Sequence, residues 1–131
     1  MTTASGSKLF LVDSTGYIEY FGKSPKADAF GKYLEQESLI LLPTIVIYEV
    51  YKKLARDAGA MFADRFLAYS HRLGERVVGL DAGLALLAAR TSMQHGLSMA
   101  DAIIYSAAQV FQADLISSDQ HFQGLPGVTL L

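Results

Sequence analysis

The sequence contains no cysteine, which excludes thiolate zinc sites and disulfide frameworks. Nor is there an excess of positive charge: eleven Lys and Arg against thirteen Asp and Glu give a formal net charge of −2. A domain-wide basic footprint for nucleic acid is therefore missing, and a polyanion must be held by a local patch or through a bound cation. Long apolar runs are missing as well. The longest, residues 39–48, is broken by Pro43 and is too short to span a bilayer. Residues 1–7 lack the basic region and apolar core of a secretory signal, so a flexible N-terminus on a cytoplasmic protein is expected. Several reaction classes lose their signatures too. There is no G-x-x-x-x-G-K-[ST], no G-x-G-x-x-G after a strand and no G-x-S-x-G elbow. Thr15 stands where a haloacid-dehalogenase-like phosphatase needs a second Asp. The paired early acids and strand-end Lys of a receiver-type phosphoacceptor are also absent.

What is present is a chain of 131 residues, 51% of them hydrophobic. A chain this long buries roughly two-thirds of its unfolded surface, enough for one domain, here residues 8–131. Residues 9–12 read as a strand, followed by a helix through Phe21. Pro25 suits a helical first turn, which predicts a helix over 25–36. Residues 38–42 read as a second strand, after which Pro43 opens a helix to about Asp57, closed by Gly59. A further helix over 60–72 ends near Gly74, and residues 77–80 make a short strand. Asp81 caps a helix to about His95, with Gly96 as its left-handed C-terminal residue. Apolar positions 100, 103, 104, 107, 108 and 111 keep helical spacing across 98–112. Residues 114–117 and 128–130 complete the strands. Strands alternating with helices predict an α/β fold with a central, mostly parallel sheet of four to five strands and right-handed crossovers.

Four carboxylates sit where apolar runs give way to a turn or a helix: Asp13, Glu49, Asp101 and Asp119. In an open α/β sheet, ligands collect beyond the carboxyl ends of the strands, so acids from distant segments can converge there. Two like charges about 4 Å apart repel by roughly 4 kcal/mol at an effective dielectric near 20. A cluster of four thus calls for a cation, and oxygen ligands without cysteine or a paired histidine motif point to Mg²⁺ or Mn²⁺. Each acid also has a purely structural explanation. Ser98-Met99-Ala100-Asp101 matches a capping box, and Asp13 and Asp119 follow strands where Asp commonly caps or turns the chain. Glu49 shares a polar arc of about 120° with Lys52, Lys53 and Arg56. That arc is either a solvated stripe with a Glu49–Lys53 pair or an acid beside a short basic track for a polyanion. Asp114 starts its strand and is expected to face solvent. His71, His95 and His121 are scattered and read as surface residues, although His121, two residues past Asp119, falls near the proposed crevice.

The set LFLVDST, PTIVIYEVYKKLAR, GLSMADAIIYSAAQ and ADLISSDQHFQGLPGV, in this order, resembles the PIN-domain ribonucleases, most of all the VapC-like toxins of type II toxin–antitoxin pairs. The resemblance covers residues 8–131 and implies a three-layer α/β/α sandwich. It places Asp13, Glu49, Asp101 and Asp119 at the family's four acidic positions. Ser14 stands at its small hydroxyl position, and Ser117 replaces a frequent Thr in its T-x-D element. It further implies one or two Mg²⁺ or Mn²⁺ ions, endonucleolytic cleavage of RNA to 5′-phosphate and 3′-hydroxyl ends, a homodimer, and a cognate antitoxin covering the site. Lys52, Lys53 and Arg56, with Arg65 and Arg72 on the next helix, are candidate RNA-backbone contacts by patch alone. A groove lined by Tyr48, Tyr51, Phe62, Phe66 and Tyr69 would suit the antitoxin. Two other functions fit the same chain: a non-catalytic PIN-like RNA- or protein-binding module, and a DNA-directed nuclease.

Overall fold

The computed structural model describes residues 8–131; the segment expected to be flexible, 1–7, lies outside them. Strand β1 (Phe10–Val12) is followed by helices α1 (Ser14–Phe21) and α2 (Ala27–Leu34). The chain continues through β2 (Leu42–Pro43), α3 (Thr44–Asp57), α4 (Ala60–Leu73) and β3 (Val77–Val78). It ends with α5 (Ala82–His95), α6 (Met99–Val110), β4 (Asp114–Ser117) and β5 (Val128–Leu130). All ladders are parallel: β1 pairs with β4, β4 with β5, and β2 with β3. A single parallel bridge, Phe10 to Ile40, joins the two groups, with Leu41 N–H donating to Phe10 O at 2.9 Å. The order across the molecule is therefore β3-β2-β1-β4-β5. The chain leaves β1 toward one side, then returns to build the other side from β4. The topological switch point thus lies between β1 and β4, and a binding crevice is expected beyond their carboxyl ends. The result is a three-layer α/β/α sandwich, as expected. Among the described residues no helix is long and apolar enough to cross a membrane.

The strands are short because the core is built chiefly by helices against them. Leu11, Val12, Leu115 and Ile116 are all but fully buried, as continuous apolar runs in a doubly covered parallel sheet must be. Tyr17 and Phe21 of α1 meet Phe66 and Tyr69 of α4 in an aromatic cluster, with centroid separations of 5.4–5.9 Å between the helices and ring planes near perpendicular. This corrects the expected groove: Phe66 and Tyr69 are core, and Tyr69 Oη donates to Leu34 O at 2.7 Å. Other boundaries moved as well. The segment expected as a strand over 38–42 begins as a 3₁₀ turn (Glu37–Leu39) and pairs only at Ile40 and Leu42–Pro43. Pro43 caps α3 in extended conformation, and α2 starts only at Ala27, so Pro25 precedes that helix. The expected Asp81 cap is present, accepting from Leu84 N–H at 2.8 Å, and Gly96 holds φ 70° where α5 ends.

Gly16 is the tightest approach in the fold. A Cβ there would lie 2.4 Å from Val12 Cγ1 and 2.6 Å from Phe30 Cδ1, because α1 rests directly on β1 and α2 at this point. Gly16→Ala should therefore destabilise the protein by about 1–3 kcal/mol through overpacking. Urea unfolding measures this, and an unchanged midpoint would show that the α1–α2 contact yields easily.

Candidate metal and nuclease site

β1 ends at Val12, so Asp13 stands beyond the carboxyl end of the central strand. It is 2% exposed and caps α1. Oδ1 accepts from Thr15 Oγ1 at 2.6 Å and from Gly16 N–H at 3.3 Å, while Oδ2 accepts from Ser117 Oγ at 2.7 Å. Ser117 closes β4, and its Oγ in turn accepts from Asp119 N–H at 2.8 Å. A single hydroxyl thus links the first and last acids. Asp119 Oδ1 accepts from His121 N–H at 2.9 Å, which turns the chain into a short 3₁₀ segment (Gln120–Phe122).

Asp101 occupies the first turn of α6. Ser98 caps that helix by accepting from Asp101 N–H at 3.4 Å, which is half of the expected capping box. The Asp101 carboxylate turns instead toward His121, with Oδ2 3.2 Å from Nδ1. One donor atom from each of Asp101, Asp119 and His121 can be chosen so that all lie within 4.8 Å of one another. Glu49 on α3 accepts from Ser14 Oγ at 2.8 Å. The structure therefore brings all four acids to the switch point, and the capping roles of Asp13 and Asp119 coexist with that convergence.

Electrostatics follow from the placement. Burial pushes the Asp13 carboxyl from its ordinary 3.8 up to about 6, against the lowering effect of its Thr15, Ser117 and Gly16 donors; the charge of Asp119 adds to the rise. Glu49 is also raised, by partial burial first and then by Asp101 and Asp119, while Ser14 opposes the shift. Asp13 thus feels the charge of Asp119, and Glu49 that of Asp101 and Asp119, across the crevice. A hard divalent cation fits this donor set of carboxylate oxygens with one imidazole nitrogen at its edge.

The expected Glu49–Lys53 pair is not formed. Glu49 turns to Ser14, and Lys53 binds Asp57 at 3.1 Å. Arg56 also grips Asp57, at 2.9 Å, and Lys52 lies 5.5 Å above the Tyr48 ring. All three cations nevertheless line one cavity of about 300 Å³ with Ser14 and Glu49, so the basic track does adjoin the acids. Arg72 is bound to Glu37 at 3.0 Å and Arg65 lies over Phe62, which commits both elsewhere. Asp114 is half-buried and paired with Lys8 at 3.0 Å, so it does not simply face solvent. Thr15 and Ser118 were not anticipated. Thr15 Oγ1 accepts from Ser118 Oγ at 3.2 Å while donating to Asp13, a hydroxyl relay legible only as the S-T and S-S pairs flanking two acids. His121, expected as a surface residue without a partner, meets two carboxylates.

The sequence model of the PIN domain matches residues 10–128. This chain belongs to the PIN domain family. The PIN fold is similar to that in a toxin–antitoxin complex from Klebsiella pneumoniae, with a TM-score of 0.73 and 22% identity over 92% of this chain and 95% of that one. It is also similar to Mycobacterium tuberculosis VapC20, described as a sarcin–ricin-loop-cleaving toxin, with a TM-score of 0.67 and 18% identity over 88% and 91% of the chains. DNA-bound VapBC from Salmonella typhimurium aligns with a TM-score of 0.65 and 15% identity over 95% and 98%. No curated protein sequence matches the chain.

The raised Asp13 carboxyl has a thermodynamic consequence for this PIN domain. Its folded state holds the Asp13 proton more tightly than the unfolded state does. The associated stability is complete below about pH 3.8 and is lost as pH rises through about 6, a total of about 3 kcal/mol. In chelator-treated buffer, wild-type stability should fall across that window relative to Asp13→Asn, which cannot ionise. Parallel denaturation curves for the two proteins would show that Asp13 is not strained if they stay equidistant at every pH.

Proposed function

We propose that this protein is a divalent-metal-dependent endoribonuclease and the toxin of a VapBC-type toxin–antitoxin pair. The observation that carries this is the meeting of Asp101 and Asp119 donor atoms within 4.8 Å, with Glu49 and Asp13 coupled to them electrostatically. Asp101 and Asp119, with Glu49 and Asp13 beside them, would hold one or two Mg²⁺ or Mn²⁺ ions. Such an ion supplies polarisation of a phosphate oxygen and a water acidic enough to attack near neutral pH. The chain's own residues do the rest. Ser117 fixes Asp13 and Asp119 relative to each other, and Ser14 orients Glu49. Glu49, half-buried with a raised pKa, would take up a proton at the open side of the crevice. Lys52, Lys53 and Arg56 line the adjoining cavity and would meet the RNA backbone as it leaves the acids.

An open groove of about 720 Å³ between α3 and α4 is lined by Ile47, Tyr48, Tyr51 and Leu67, with Lys52 and Arg56 along it. Tyr48 is 61% exposed and Tyr51 42%, far more than core aromatics would be. Tyr48, Lys52 and Arg56 belong to both the groove and the cavity beside Glu49. An antitoxin segment seated on the two tyrosines would therefore lead straight to the acids. The Klebsiella pneumoniae relative is a toxin–antitoxin complex, which supports this assignment. A homodimer is part of the same proposal.

Asp101→Asn and Asp119→Asn should each lower Mg²⁺- or Mn²⁺-dependent RNA cleavage by about a thousandfold, since each removes several kcal/mol of charge stabilisation. Fold should be retained, because both side chains are only partly buried. Cleavage of structured RNAs, run beside matched DNA and with or without chelator, decides the matter. Wild-type rates in both variants would leave a binding module, and DNA cleavage alone would transfer the site to the other nucleic acid.

A further inference from the structure

The imidazole of His121 is 73% exposed, yet its Nδ1 lies 3.2 Å from Asp101 Oδ2 and 3.3 Å from Asp119 Oδ1. An exposed histidine ordinarily samples several rotamers in solvent, but two constraints hold this one. Its main-chain N–H is fixed on Asp119 Oδ1 at 2.9 Å, and the next residue, Phe122, is fully buried in the core. The 3₁₀ turn is thereby pinned at both ends, and the ring is presented to the two carboxylates from the solvent side. Around an octahedral ion with ligands at roughly 2.1 Å, adjacent donor atoms stand about 3 Å apart and opposite ones about 4.2 Å apart. Both nitrogen–oxygen separations, 3.2 and 3.3 Å, match the adjacent spacing.

We infer that His121, through Nδ1, is a third protein ligand of the ion held by Asp101 and Asp119, and that it biases the site toward Mn²⁺ over Mg²⁺. The inference rests on the metal site proposed above. Mg²⁺ is a hard ion that prefers oxygen and retains its waters, whereas an imidazole nitrogen favours first-row transition ions. Replacing one oxygen donor by nitrogen therefore costs Mg²⁺ more than Mn²⁺. His121 is the only histidine whose ring reaches the acids among the described residues. His95 packs against Tyr105 at 6.2 Å, and His71 lines a separate cavity with Ile47 and Leu67.

Pulsed EPR on the full chain loaded with one equivalent of Mn²⁺ reads this directly. Nitrogen-14 modulation from a bound imidazole is expected in wild type and in His71→Ala and His95→Ala, and should vanish in His121→Ala. Mn²⁺ affinity in His121→Ala should fall about tenfold, with a smaller loss for Mg²⁺. Nitrogen coupling that persists in His121→Ala, or its absence from Mn²⁺-loaded wild type, overturns the inference while leaving a carboxylate metal site intact. If wild type retains no Mn²⁺, or Asp101→Asn retains it equally well, the metal site itself is lost and the inference with it. Because His121 is exposed, its replacement leaves the core untouched, and a circular dichroism spectrum matching wild type shows that the lost signal is local.

Discussion

The hydrogen bonds on the buried Asp13 carboxylate hold together parts of the chain that are more than a hundred residues apart. Thr15 and Gly16 bind it from the start of α1, and Ser117 binds it from the end of β4. Three donors on two oxygens are enough to keep a carboxylate in the interior, but here they do not fully offset the loss of water, since its pKa remains raised. The residual strain is directional. It can be relieved by a proton or by a cation arriving from the crevice side, where Asp119 adds its own charge. The fold thus stores an unmet electrostatic demand at the switch point between β1 and β4. The close contact of Gly16 with Val12 and Phe30 fixes α1 at the depth this arrangement needs.

Much of this was legible in local pattern. Apolar runs ending in acids located β1, β4 and the side of the sheet where Asp13 and Asp119 emerge. The polar arc of α3 set Glu49 apart from its apolar face. What local pattern cannot supply is the identity of the neighbour. Phe66 and Tyr69 looked like surplus aromatics because their partners, Tyr17 and Phe21, lie on a helix some 45 residues away. The arc of Glu49, Lys52 and Lys53 suggested an i,i+4 pair, but Ser14 and Asp57 compete for both partners. His121 has no metal-like spacing along the chain because its companion Asp101 sits twenty residues away on α6. The second strand is shorter than its apolar run for a related reason: only Ile40 and Leu41 bond to β1, and only Leu42–Pro43 pair with β3.

The cations of α3 show how local placement differs from what net composition suggests. A net charge of −2 argues against a broad basic face, and two of the three candidates on α3 are already tied to Asp57. Exposed pairs of this kind are weak and screened by salt, so they yield readily to another partner. Asp57 holds Lys53 and Arg56 in place along α3. Lys52, by contrast, lies over the Tyr48 ring without a counter-charge.

The four acids divide by depth, and that division carries a chemical consequence. Asp13 is sealed from solvent and bonded on both oxygens, so its carboxylate has little freedom to follow a reacting group. Asp101 and Asp119 are only partly buried, and Glu49 sits half-open on α3. For the metal site proposed above, this depth would suit a fixed group at the bottom and ligand-exchanging groups at the rim. Exposure therefore rises from Asp13 to Asp101 and then to Asp119, which sets an immobile carboxylate beneath two more accessible ones. The same ordering explains why the hydroxyls cluster at the base, where donors without charge can hold Asp13 without neutralising it.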